Sequence, residues 1–117
     1  MKKYQSDIKG HLDIFVASNE AENDGVIEQW QEVFIHGDAE GLRSFAQLLL
    51  KLADIKQESI THLPLEAREH YHLRPNIDIS KSSVEVIVGR LDAKGTGRFY
   101  DRYVASDKMQ NSNQSHL

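Results

Sequence analysis

Apolar and polar side chains alternate along the first ordered stretch of the chain. In Gly10 to Ala17, G-H-L-D-I-F-V-A, Leu12, Ile14 and Val16 share one face of an extended strand, while His11, Asp13 and Phe15 share the other. Ser18 to Gly25, S-N-E-A-E-N-D-G, is polar, acidic and closed by an Asp24-Gly25 turn pair, which predicts a connection longer than a tight turn. Val26 to His36 resumes with Trp30, Val33, Phe34 and Ile35 and stops at Gly37, predicting a second strand.

The periodicity then changes. Gly37-Asp38 offers a turn and an N-cap, Glu40 places an acid where the helix dipole favours it, and a helix is predicted from about Ala39 to Ala53. Leu42, Phe45, Ala46, Leu49, Leu52 and Ala53 recur at three- and four-residue steps as a stripe suited to a sheet face, with Arg43, Gln47 and Lys51 on the wet side. Residues 54–68 read as a loop with one helical turn, because Pro64 interrupts whatever His62-Leu63 begins. Glu69 to Arg74 and Ser82 to Leu91 read as two strands pairing across Asn76 to Lys81. The fold class predicted is α+β, a small antiparallel sheet of about four strands in the order β-β-α-β-β with one main helix on one face. Residues 1–108 form a single domain in this reading, and 109–117 a polar, disordered tail.

Composition narrows the class. The chain has 117 residues, 39% hydrophobic and 27% charged, the balance of a folded globular body, and a chain of this length buries roughly two thirds of its unfolded surface. The longest apolar run, Phe45 to Ala53, is broken by Gln47 and Lys51 and falls short of the roughly 18 residues a membrane span needs. Lys2 and Lys3 have no apolar segment behind them, so no secretory signal is read and the cytoplasm is the expected location. Without cysteine there is neither a disulfide nor a thiolate metal site.

Charge is unevenly placed. Residues 1–40 carry nine acids against three bases, net −6, whereas residues 41–117 carry eleven bases against nine acids, net +2. A concentrated negative field argues against a nucleic-acid backbone as ligand and suits a basic protein partner. Glu20, Glu22, Asp24, Glu28 and Glu32 are the partner-binding candidates on this ground. Tyr71, Phe99, Tyr100 and Tyr103 lie near Arg74, Arg98 and Arg102, the composition of a protein-binding hot spot, and Tyr100 and Tyr103 are the candidate anchors.

Other chemistries have thinner support. His70 and His72, two apart on a strand, point to one face, and with His62 they make the only metal-ligating set to consider; no H-e-x-x-H pattern accompanies them. Lys94-Gly95-Thr96-Gly97 lacks the spacing of a phosphate loop and reads as a structural turn. No G-x-S-x-G elbow and no activated serine stand out, so no enzyme activity is expected. A sheet of so few strands leaves an open edge, through which a homodimer could form.

Ile35-His36-Gly37-Asp38-Ala39-Glu40-Gly41-Leu42-Arg43-Ser44-Phe45-Ala46-Gln47-Leu48-Leu49, then His70-Tyr71-His72-Leu73-Arg74-Pro75, then Ser82-Ser83-Val84-Glu85-Val86-Ile87-Val88, together resemble a bacterial family, immunity protein family 32, over roughly residues 30 to 105. The resemblance implies a protein encoded beside a polymorphic or contact-dependent toxin that neutralises this cognate protein toxin by binding it. It further implies no enzyme activity and no cofactor, and it carries over no functional residue.

Overall fold

A computed structural model describes residues 4–110. Strands β1 (Leu12–Asn23) and β2 (Val26–Gly37) pair antiparallel along their whole length, from Leu12 opposite Gly37 to Asn23 opposite Val26. The long connection expected over Ser18 to Gly25 is therefore absent. β1 runs on to Asn23 and turns through Asp24 and Gly25 alone, at φ 53° and 81°. Two successive positive φ values are what a two-residue hairpin turn needs, and they match the twist of the strands it joins. Residues 18–23 hide from a pattern search because the hairpin is wet on both faces there, so nothing forces alternation.

From Ser18 to Gln31 every residue is exposed. Twelve-residue strands span about 40 Å, so the distal half of the hairpin projects from the body as an arm. Gly25→Ala is expected to weaken the arm locally by about 1 kcal/mol, a backbone cost only, since a Cβ there meets nothing within 4 Å. Amide exchange should rise in residues 18–31 and stay unchanged in the helix.

Helix α1 (Ala39–Asp54) begins at an Asp38 N-cap whose carboxylate accepts from Gly41 N–H at 2.8 Å and from His11 N–H at 3.1 Å. Its buried positions are Gly41, Ser44, Leu48 and Leu52. The helix length agrees with the periodicity, but the buried stripe is rotated toward Gly41 and Ser44, leaving Leu42 and Leu49 at 44% and 40% exposure. The rotation follows from small residues. Segment Ile8–His11 crosses the helix there, and the Ser44 hydroxyl accepts from Lys9 N–H at 2.9 Å and donates to Lys9 C=O at 3.0 Å. The core gathers Ile8, Leu12, Ile14, Leu48, Leu73 and Ile79, with Phe45, Tyr71 and Val86 packed around it.

β3 (His70–Leu73) pairs antiparallel with β4 (Val86–Gly89), as the sequence predicts, but the four strands form two two-stranded sheets rather than one. The chain between them runs along the free edge of β1. Ser80 and Val84 donate backbone N–H bonds to Leu12 and Ile14 C=O, both at 2.9 Å, while Ile14 N–H is taken by the Ser83 hydroxyl at 2.9 Å. A side chain thus stands where a ladder carbonyl would be, and the segment predicted as the start of a strand at Ser82 remains outside the sheets. The Asp13 carboxylate locks this junction, accepting the hydroxyls of Ser80, Ser82 and Ser83 at 2.6, 2.8 and 3.2 Å. Those bonds hold its pKa below the usual aspartate value.

The 54–68 segment contains the expected single turn, a 3-10 helix at Gln57–Ser59. It is pinned from outside. Arg90 donates to Leu52 and Ile55 C=O at the end of α1, at 3.2 and 2.7 Å, and the Lys94 ammonium to Ile60 and Leu63 C=O at 2.5 and 2.6 Å. Lys94 spends its charge on these carbonyls, and Gly97 N–H closes the turn on Ala93 C=O at 2.8 Å, so the Lys94–Gly97 loop is structural. A short helix α2 (Asp107–Gln110) ends the described chain. The tail expected over 109–117 lies, from residue 111 on, outside the described residues.

Candidate partner-binding surface

The hairpin register sorts the acidic candidates by face. Glu20 and Glu22 lie on the face that carries Leu12, Ile14 and Val16, the side against which Phe45 and Leu48 of the helix pack. Glu28 and Glu32 lie on the opposite face and Asp24 sits in the turn at the tip. The arm therefore brings together a common negative field, not a single acidic patch. From Gly10 to Leu42 the chain contains no lysine or arginine, so neither strand carries a basic residue of its own.

The face of Glu28 and Glu32 is aromatic. Phe15 and Phe34, directly opposite in register, stack with ring centroids 5.1 Å apart, and His36 meets their edges at 5.6 and 5.7 Å. Further out on the same face Trp30 stands opposite Asn19 at 43% exposure. The Asn19 side-chain amide donates to Glu32 Oε1 across the strands.

Tyr100 and Tyr103 belong to a different part of the surface. The Arg68 guanidinium lies 3.8 Å from the Tyr100 ring centroid, and Tyr103 meets Phe99 edge-on at 5.4 Å. Arg68 is itself held by Leu91 and Arg98 C=O at 2.8 and 2.7 Å. Tyr100 is half exposed and already covered on one ring face by a cation, an arrangement that pre-orders it without hiding it.

The histidine set does not assemble. His70 and His72 do share a face, rings 5.1 Å apart, but His70 Nδ1 lies 3.2 Å from Arg68 C=O and His72 Nδ1 lies 3.6 Å from a Glu85 oxygen. Among the described residues no three histidine, aspartate or glutamate side chains, His62 included, come together so as to hold a metal ion. No described helix is long and apolar enough to cross a membrane.

Trp30 is the exposed aromatic side chain of the arm that the sequence pattern marks only as a strand former. The signal lay in Glu28-Gln29-Trp30-Gln31-Glu32: period two puts a tryptophan between two carboxylates on one face, but only an arm free of neighbours leaves that face open.

The α+β scaffold holds an exposed acidic hairpin away from its core. The class that this chain falls into is that of the bacterial immunity proteins. The family model described as Immunity protein 32 matches residues 32–91, just over half of the chain, and the chain belongs to that family. Comparison with curated proteins and with solved structures finds no match. The matched region runs from the second half of β2 through α1 and β3 to the end of β4. β1, the turn and Trp30 lie outside it.

Proposed function

We propose that this protein neutralises a cognate bacterial toxin by binding it directly, without catalysis and without a cofactor, in the cytoplasm of the cell that makes both. Membership of an immunity family supports a toxin as the partner. The observation that carries direct binding is the projecting arm: fourteen consecutive exposed residues, Ser18 to Gln31, in a stretch without a lysine or arginine. Such an arm steers toward a positively charged cleft, the kind that an enzyme acting on nucleic acid presents. Glu20, Glu22, Asp24, Glu28 and Glu32 supply the field, and Tyr100 and Tyr103 supply apolar contact from the second surface.

Co-expression with the toxin encoded beside its gene tests the reading. The wild-type chain is expected to restore growth, and replacing the five acids with lysine should abolish protection while leaving the far-ultraviolet circular dichroism unchanged. Binding should also slow with salt, the association rate falling about tenfold or more between 50 and 500 mM sodium chloride. A toxin that kills equally well with the wild-type chain present would end the proposal.

A further inference from the structure

We propose that the arm face opposite the helix is a receptor for a cationic side chain of the bound protein, with Trp30 as its anchor and Glu28 and Glu32 as its flanking ion-pair partners. Alternation sets these three residues on one face of β2 at steps of about 7 Å, close to the reach of a guanidinium lying on the indole and turning its N–H groups to a carboxylate on either side. Glu32 is held in place through one oxygen by the Asn19 amide, opposite Trp30 across the ladder. The indole is 43% exposed on an arm whose neighbours are all exposed, so it is accessible without any rearrangement. Arginine is the preferred occupant, because its planar, weakly hydrated cation both stacks on an indole and forks onto carboxylates, whereas a lysine ammonium does only the second well. Phe34 and Phe15, stacked further down the same face, extend the contact toward the body.

Charge decides between a basic protein and a second copy of this chain as the occupant. Two arms laid together would bring Glu20, Glu22, Asp24, Glu28 and Glu32 of one against the same five of the other, with no lysine or arginine between Gly10 and Leu42 to offset them. A partner rich in arginine meets the same surface with opposite sign. For the identity of that partner the inference rests on the toxin-binding reading; the receptor itself can be tested apart from it.

Trp30 is the single tryptophan of the chain, so its fluorescence reports this face alone. The full-length protein is titrated with a hexa-arginine peptide while emission and acrylamide quenching are followed. A saturable emission change with reduced quenching is expected, weakened about tenfold by Glu28→Gln with Glu32→Gln and less than about threefold by Glu20→Gln with Glu22→Gln, which removes equal charge from the other face. Equal weakening by both pairs would reveal a diffuse field with no receptor, and an emission that never saturates would equally overturn the proposal. So would a dimer in sedimentation whose formation shields Trp30, since a second copy would then be the occupant. The same variants, together with Trp30→Ala, are then measured against the neighbour-encoded toxin. Failure of that toxin to bind the wild-type chain removes the toxin reading and leaves the peptide result standing; unchanged toxin binding by Trp30→Ala and by the Glu28, Glu32 pair removes this inference and leaves the toxin reading standing.

Discussion

Gly41→Ala is expected to destabilise the protein by about 3 kcal/mol or more, enough to leave much of the chain unfolded at 37 °C. Helix propensity alone predicts the reverse, since alanine in a helix is favoured over glycine by about 1 kcal/mol. The two effects are opposed, and their sizes settle the sign. A Cβ on Gly41 would lie 1.9 Å from the His11 carbonyl oxygen and 2.6 Å from its carbon, both backbone atoms that no rotamer change can move. The same carbonyl accepts from Asp38 N–H at 3.2 Å, and Asp38 in turn caps the helix at Gly41 N–H, so retreat of the His11 segment would undo the cap. A urea melt reads the outcome. A midpoint raised by the substitution would mean that the His11 carbonyl and the helix start do not approach this closely.

The second large effect is expected at Asp78. Its side chain is 1% exposed, accepts the Tyr4 hydroxyl at 2.5 Å, and takes both Arg74 N–H and Arg74 Nε at 2.9 and 3.2 Å. Arg74 also lies 4.8 Å from the Tyr4 ring centroid, so the three residues form one cluster, with Asp78 on its inner side beside the buried Leu73 and Ile79. Burial pushes the carboxyl pKa up, but the hydrogen bonds from Tyr4, Arg74 N–H, Ser6 and the Arg74 side chain together outweigh it and hold the group below the usual aspartate value. Asp78→Ala removes the acceptor shared by Arg74 and Tyr4 at a cost of about 2 kcal/mol near neutral pH, limited because water reaches the exposed Arg74 and Tyr4 side chains. The sign with pH follows from the depressed pKa. The stabilisation is fully present above the ordinary aspartate range and is lost as pH falls through the lower, folded-state value, because the unfolded chain takes up the proton first. Urea melts at pH 7 and at pH 3 should therefore show the gap between wild type and Asp78→Ala narrowing on the acid side. A gap of constant size would assign the loss to packing alone.

Much of the scaffold was legible because its elements are locally consistent. Gly37-Asp38 followed by Glu40 announces a helix start whatever lies nearby, and α1 ends within one residue of the predicted Ala53. Tyr71 and Val88 stand opposite each other in a hairpin that β-branched residues already marked. The resemblance carried by Ile35 to Leu49 and by the two later strands falls on the region that the family model matches. The distal half of β1 was not legible. Ser18 to Asn23 bury neither face, so they carry no periodic signal, and their strand structure comes from backbone pairing with β2.

The candidate site divides in the same way. Acid residues from Glu20 to Glu32 are visible in any reading of charge, but their distribution over two faces and a tip depends on a register that starts from a two-residue turn. Trp30 changes from a strand former to an exposed side chain only because the hairpin runs on beyond the core, which takes in no hairpin residue past Leu12 and Ile14. Tyr100 was picked out by composition, while the Arg68 cation resting on it is thirty-two positions away and has no local cue.

Local chemistry along the chain was thus sufficient for the α+β class, the helix limits, the pairing of His70–Leu73 with Val86–Gly89 and the negative character of the N-terminal third. Those features depend on residues within a few positions of one another, where backbone sterics and side-chain periodicity act without help. The split into two sheets, the rotation of the helix onto Gly41 and Ser44, the burial of Asp78 against Tyr4 and the isolation of the arm depend on groups brought together from 27 to 74 positions apart. Such contacts are selected by how the whole chain packs and satisfies its buried polar groups, and only the folded molecule contains that information.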